Sequence, residues 1–363
     1  MSQSNRQNRP AHVVIDTAAF AHNLAQVKRW VPDSKIMAVI KADGYGHGME
    51  AAASGLSDAD EFGVNGLDDV HRLRAHGVDK TLSILSASLT LDELNALQGD
   101  KVRPLCYDFE HLSLFEQLDD SAGLSVWIKV DTGMGRLGFL PTELQSVYQR
   151  LEKVKGISKL SLMTHLANAD QVDHPSNKQQ IEVFTELAEA HKFSDISILN
   201  SAGVVSFANS ANTQVRPGIV MYGISPTLGI SAQSLGLQPV MTFKSQLISV
   251  KTLPSGSSIG YGSTYVLDQD SRVGIVAVGY GDGYPRHAPS GTPVLVNGVL
   301  LPLVGRVSMD MIAIDLGALP AKVGDEVVLW GEGNPIEKIA AAAGTIAYEL
   351  SCGILPRVQR LLI

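Results

Sequence analysis

The chain has 363 residues, a formal charge of −8 and a hydrophobic fraction of 45%, enough apolar content to fill the core of one large domain or two ordinary ones. The acidic balance, with no basic stripe, argues against a nucleic-acid or anionic-membrane partner. Cys106 and Cys352 are the only cysteines, which leaves no disulfide scaffold or cysteine-based zinc site and suits a reducing compartment.

In chain order, residues 1–10 are polar and lack the apolar centre of a signal peptide. No apolar run reaches transmembrane length. A cytoplasmic protein with a loose N-terminal tail is expected. From 11 to 237, short apolar runs alternate with amphipathic stretches. His12–Asp16 reads as a strand, and Asp16 or Thr17 as the cap of a helix continuing to Trp30. Eight further strands are expected at 36–41, 61–65, 82–85, 102–106, 125–130, 160–165, 196–200 and 215–219. Helical patterns fall at 68–75, 92–97, 110–118, 142–153 and 177–191. This alternation predicts a parallel sheet, and eight units are the number that closes a (β/α)8 barrel. Strand 11–16 is then a ninth, expected to pair with a second domain.

Past Leu237 the helical patterns thin out. Strands are expected at 240–251, 273–278, 292–296, 299–304, 308–315 and 326–330, with one helix at 335–343. Val296-Asn297-Gly298-Val299 is a hairpin signal, because Asn-Gly supplies positive φ at both turn positions. The predicted fold class is α/β: an N-terminal (β/α)8 TIM-like barrel over 11–237, followed by a mainly-β domain over 238–363.

Barrel sites lie at the C-terminal ends of the strands. The expected ends carry Lys41, Asn65, Lys129, His165, Asn200-Ser201 and Arg216. Lys41 follows the apolar run Ile36–Ile40 and opens a glycine-rich segment. A lysine there either snorkels to water or is a desolvated amine of lowered pKa bonded to a carbonyl cofactor. The glycines let backbone approach a ligand, and Tyr45 offers a hydroxyl to a phosphate. Arg216-Pro217-Gly218-Ile219 is either a Pro-Gly turn or a phosphate loop, in which the N–H groups of Gly218 and Ile219 and the Ser201 hydroxyl hold the anion. Pro217 has no N–H to add. Asp131–Arg136 is glycine-rich, but no Gly-Lys-Ser/Thr closes it into a Walker loop. His165 by itself reads as a satisfied core histidine. Tyr261, between glycines, reads by itself as a turn aromatic.

Taken together and in order, nine motifs resemble those of the alanine racemases. They are Val39-Ile40-Lys41-Ala42-Asp43-Gly44-Tyr45-Gly46-His47-Gly48, Lys129-Val130-Asp131-Thr132-Gly133-Met134-Gly135-Arg136-Leu137-Gly138, Met163-Thr164-His165, Asn200-Ser201-Ala202, Val215-Arg216-Pro217-Gly218-Ile219, Gly260-Tyr261-Gly262, Gly279-Tyr280-Gly281-Asp282-Gly283, Gly305-Arg306-Val307-Ser308-Met309-Asp310 and Tyr348-Glu349-Leu350. The resemblance runs from about Val13 to Arg360.

That resemblance implies an amino-acid racemase of the fold-type-III pyridoxal 5'-phosphate class, with L- and D-alanine as substrates and no metal. It implies that Lys41 holds the cofactor and that Tyr45, Tyr348, Ser201, Gly218 and Ile219 hold its phosphate, with Asn200 beside them. Arg216 would face the pyridine nitrogen, oriented by His165. A guanidinium does not give up its proton, so that nitrogen stays unprotonated, which suits racemisation and disfavours transamination. Arg136 would contact the phenolic oxygen and the substrate carboxylate, with Lys129 carbamylated beside it in some members. Tyr280 and Met309 match residues of the access channel and carboxylate end. Ser308 stands where some relatives have cysteine. Lys41 and Tyr261 would be the two bases, with Tyr261 crossing a homodimer interface to the partner's site. The product would supply peptidoglycan with D-alanine or serve alanine catabolism, and a minor serine activity stays open. An amino-acid decarboxylase of the same architecture fits less well, because it sets an acidic residue against the pyridine nitrogen. A single-domain cofactor carrier lacks the β domain and its tyrosine.

Overall fold

In the computed structural model, residues 9–99, 101–210 and 212–363 are described. The expectation of a loose tail falls largely on residues 1–8, outside them. The chain divides into two compact units. One comprises Phe20–Gly44 and Ala52–Leu237, the other the residues up to Ala19, Tyr45–Ala51 and Gln238–Ile363.

The first unit is a barrel of parallel strands, Lys35–Val39, Glu61–Val64, Thr81–Ile84, Val102–Arg103 continuing as Leu105–Cys106, Leu124–Lys129, Ile157–Met163, Ile196–Ser197 and Gln214–Val215. Pro104 interrupts the fourth strand because it has no N–H for the ladder. Its carbonyl still accepts from Trp127 N–H at 3.0 Å, which joins the two halves. The ring closes on the other side where Arg216 N–H donates to Leu199 O at 2.9 Å and Thr213 N–H to Ile196 O at 3.1 Å. Met37, Leu105, Trp127 and Met163 fill the middle of the barrel.

At the N-terminal ends of the strands, Arg103 is buried with its charge met. It pairs with Glu61 at 2.9 Å and Asp195 at 3.2 Å, and lies 4.2 Å from the centre of the Trp127 ring. A buried ion needs such partners, since the cost of desolvation otherwise dominates.

In the second unit, the 13-residue strand Met241–Leu253 organises a closed sheet. Its first half pairs with Glu326–Trp330 and its second half with Ser271–Val276. Two register shifts along it turn the strand from one neighbour to the other. His12–Ile15 lies antiparallel to the same strand and parallel to Gln359–Leu362. The hairpin of Pro293–Val296 and Val299–Val304 turns at Asn297 (φ 49°) and Gly298 (φ 80°).

Several expected elements are shorter than their patterns. The strand expected over 215–219 ends at Val215, where Pro217 removes a donor. The strand expected over 308–315 is strand only over Ile312–Asp315. Before it, Ser308 N–H turns back onto Met311 O at 3.0 Å. Short helices at Met49–Gly55, Ser201–Ser206 and Ala347–Cys352, and strand Gln359–Leu362, were not expected.

Candidate active site

The C-terminal mouth of the barrel collects cations. Lys41 stands just past strand Lys35–Val39, on a turn that winds left-handed through Ala42 (φ 53°), Asp43 (φ 54°), Gly44 (φ 60°) and Tyr45 (φ 52°). Residues with a Cβ avoid this region at about 1–2 kcal/mol each, and such strain concentrates at functional positions. Asp43 is tied to Arg72 at 2.8 Å.

Arg216 is buried at the end of strand Gln214–Val215. Its Nη1 donates to Ser197 Oγ at 2.6 Å and its Nη2 to the Thr164 carbonyl, with His165 Nδ1 at 3.5 Å. Every one of these acceptors is neutral. Burial brings the guanidinium pKa down to about 10. Burial also holds the His165 imidazole well below its usual range, and Arg216, Lys129, Arg136 and Lys41 push in the same direction. His165 is therefore neutral at physiological pH and can accept as well as donate. Its Nε2 lies 3.5 Å from Asn200 Nδ2.

Lys129 ends strand Leu124–Lys129 and is buried. Desolvation first, then Arg216, Arg136 and Lys41, bring its amine down to about 7, with Asp131 pulling the other way. Asp131 is committed elsewhere. Its carboxylate accepts the N–H groups of Gly133, Met134 and Arg136 at 2.8–3.0 Å. Partial burial would raise its pKa, but these donors outweigh that and lower it. The loop between Asp131 and Phe139 folds back on its strand, with Asp131 N–H on Phe139 O and Phe139 N–H on Lys129 O. Gly138 (φ 126°) makes this possible, since a Cβ there would meet the backbone at 2.8 Å. Among the described residues, no carboxylate pairs with Lys129, Arg136 or Arg216 within 4.0 Å.

The expected phosphate loop is built from two facing segments. Gly218 N–H donates to Ser201 Oγ at 2.8 Å. Asn200 caps helix Ser201–Ser206 through Gly203 N–H at 2.9 Å. Ile219 opens a 3-10 turn, so its N–H has no acceptor within that turn. In the other unit, Tyr45 and Tyr348 lie with ring centroids 6.0 Å apart. Burial, then Tyr348 and Cys352, raise the Tyr45 pKa, which keeps its hydroxyl a neutral donor. Asn65 serves locally, donating its N–H to Asp69 and accepting from Ser86.

Tyr261 sits between Gly260 (φ 72°) and Gly262 (φ 74°) and is 70% exposed. Met309 is 53% and Tyr280 38% exposed. The Tyr261 side chain makes no hydrogen bond among the described residues, whereas a tyrosine used for packing is normally covered.

Sequence reasoning missed the residues that hold the site in shape. Ser197 and Thr164 orient Arg216. Gln180 donates to His165 O at 3.1 Å and accepts from Ala167 N–H at 2.9 Å. A signal for Gln180 was present: it shares a helix face with Asn177 and Phe184, and all three are buried. Polar residues at core positions of a helix need specific partners.

Known proteins resemble this chain over nearly its whole length. The alanine racemase N-terminal domain model matches residues 15–226 and the C-terminal domain model residues 240–362. The alanine racemase of Aeromonas hydrophila is 44% identical over 346 residues, covering 95% of this chain and 97% of that protein. That of Nitrosospira multiformis is 44% identical over 355 residues, covering 97% and 99%. The crystal structure of biosynthetic alanine racemase from Pseudomonas aeruginosa superposes with a TM-score of 0.94 at 40% identity, covering 98% of this chain and 99% of that one. The Acinetobacter baumannii alanine racemase structure gives 0.93 at 36% identity, with 98% and 100% covered. Matched by both domain models and by full-length relatives, the chain belongs to the alanine racemase family and is an amino-acid racemase.

Proposed function

We propose that this racemase interconverts L- and D-alanine with pyridoxal 5'-phosphate by a two-base mechanism. One observation carries the reading: the Arg216 guanidinium is buried with no counter-ion among the described residues, in a mouth that also holds Lys41, Lys129 and Arg136. Uncompensated buried charge is costly, so the arrangement fits an anionic, phosphate-bearing ligand with a ring acceptor for Arg216. When bound, the cofactor supplies an electron sink that acidifies the substrate α-proton.

The residues then divide the work. Lys41 holds the cofactor. Ser201, Gly218, Ile219, Tyr45 and Tyr348 supply donors to the phosphate, and Asn200 fixes Ser201 by capping its helix. Arg216, aligned by Ser197, Thr164 and His165, presents a proton that it does not release, leaving the ring nitrogen uncharged. Arg136 and Met309 receive the substrate carboxylate. Lys129, with an amine brought to about 7, is basic enough to add carbon dioxide and uncharged enough to react. The carbamate formed would pair with Arg136.

Racemisation requires a proton to leave one face of Cα and return on the other. Two fixed bases do this without a group crossing the substrate plane. Lys41 serves one face and Tyr261 the other. The high exposure of Tyr261 supports its delivery into the site of a second copy, so the working unit is a homodimer with composite sites. The barrel domain is taken as 11–237 and the β domain as 238–363. The enzyme acts in the cytoplasm, supplying D-alanine for peptidoglycan or opening alanine catabolism. Among the described residues no helix is long and apolar enough to cross a membrane, and no group of three residues is placed to hold a metal.

The test is a chiral amino-acid assay on purified protein with and without added cofactor, followed by borohydride reduction and peptide mapping. L-alanine should reach an equal mixture of enantiomers only with cofactor, and reduction should fix the cofactor to Lys41. Label on a different lysine, or racemisation of another amino acid in preference to alanine, overturns the reading.

A further inference from the structure

Two glycine-rich turns of the β unit are pressed together at backbone distance. Tyr280 N–H donates to Ser308 O at 3.1 Å and Gly281 N–H to Met309 O at 2.9 Å. A Cβ on Gly279 would meet Ser308 O at 2.2 Å, and one on Gly281 would meet Met309 O at 3.0 Å. The contact therefore requires glycine at 279, whereas a Cβ at 281 would crowd Met309 O and the Arg357 guanidinium.

Both peptide groups flanking Met309 are thereby held through their carbonyls. The N–H of a trans peptide points opposite to its carbonyl, so the Met309 N–H is directed away from the Tyr280 amide. It donates to no acceptor among the described residues.

A charged clamp stands behind this pair of turns. Arg357 reaches Asp282 Oδ1 at 2.8 Å and Asp310 Oδ1 at 2.9 Å, while its Nη2 approaches Met309 O at 3.3 Å. Arg9 meets the same two carboxylates, Asp282 at 2.7 Å and Asp310 at 3.2 Å. Asp282 is fully buried, and its Oδ2 also accepts Gly279 N–H at 3.0 Å. Of the two arginines, Arg357 alone also touches the Met309 backbone.

We propose that Arg357 is a positioning residue for the substrate carboxylate, acting through the Met309 peptide. This rests on the reading of Met309 as the carboxylate-binding end. A guanidinium can span two carboxylates and a carbonyl in one plane, which an ammonium cannot do. With the clamp closed, the Met309 N–H meets an incoming carboxylate without first being ordered. With it open, part of the binding free energy goes into ordering the turn.

The experiment compares Arg357→Ala and Arg357→Lys with the wild type as cofactor-loaded enzymes. It measures KM and kcat for both alanine enantiomers, and the affinity for propanoate, the substrate carboxylate without its amine, by calorimetry. Loss of one charge-assisted positioning contact corresponds to about tenfold in affinity. For Arg357→Ala, KM in both directions and the propanoate dissociation constant should rise together by about that factor. The change in kcat should stay within about threefold, because the contact serves ground and transition states alike. Arg357→Lys, which keeps the charge and protects folding, should fall between the two. Unchanged KM and propanoate affinity with a lower kcat would reduce Arg357 to a structural role and overturn the proposal. Propanoate binding to wild type without competition against alanine would overturn it as well. A wild-type enzyme that fails to racemise alanine would instead defeat the underlying functional reading.

Discussion

The Arg216 guanidinium donates to Ser197 Oγ at 2.6 Å, a neutral acceptor where a carboxylate would have cancelled its charge. The contrast with Arg103, buried in the same barrel and paired with Glu61 and Asp195, shows that the fold can neutralise an arginine. At the C-terminal mouth it does not. A guanidinium there keeps its proton, whereas a carboxylate would draw one onto a neighbouring ring nitrogen.

Arg216→Glu should therefore slow racemisation and raise the share of turnovers that end in pyruvate. Pyruvate formed per racemisation event is the measurement, corrected for cofactor occupancy. An occupied variant with an unchanged pyruvate share would reduce Arg216 to packing.

Lys129 titrates near 7 because it is buried among cations. An ordinary lysine with a pKa of about 10.4 is less than about 1% neutral at pH 8. The Lys129 amine is mostly neutral there, and carbon dioxide adds only to the neutral form. With 13C-labelled bicarbonate, a carbamate resonance should grow as pH rises through 7 and be absent from Lys129→Met. In cofactor-free, carbon-dioxide-free protein, the unfolded chain binds one proton more than the native chain between pH about 7 and about 10.4. Native stability should therefore rise with pH in that window, and Lys129→Met should remove the slope.

Tyr261→Phe should lower racemisation by roughly 10²–10⁴-fold, the usual worth of a general acid–base group. In D2O the variant should exchange the α-proton of D-alanine but not of L-alanine, since Lys41 remains. Mixing Tyr261→Phe with Lys41→Ala subunits should restore activity, because one composite site then holds both bases. No recovery after verified subunit exchange would place both bases in one chain.

Ala42 is exposed in the left-handed region. Its strain of about 1–2 kcal/mol exceeds the extra unfolded-state freedom of glycine, about 0.5–1 kcal/mol. Ala42→Gly should raise stability by about 0.5–1 kcal/mol in urea unfolding, and Gly44→Ala should lower it by about the same amount. Equal midpoints for the two variants would mean the turn is not strained.

Much of the barrel was legible because its cause is local. Runs such as Ile36–Ile40 and Val126–Ile128 are apolar on both faces, as strands covered by helices must be. The glycine turn around Tyr261 was equally visible, since positive φ selects glycine. The extents of the strands were less so. Val215 ends its strand because Pro217 has no donor and Gly218 turns the chain, although Val215–Ile219 reads as one run. The left-handed turn after Lys41 was hidden, because Ala42 and Tyr45 carry no mark of that conformation.

The sequence by itself determined the two architectures, the strand count of the barrel and the identity of the polar residues at its strand ends. Each follows from periodicity or from chemistry within a few residues. Only the tertiary structure decided which of those residues share an electrostatic environment. Arg216 meets Ser197, 19 residues away, and Thr164, 52 residues away. Lys129 owes its lowered pKa to burial and to Arg216, Arg136 and Lys41. Such shifts depend on distance and desolvation in space, and barrel closure sets both by bringing remote strand ends around one mouth.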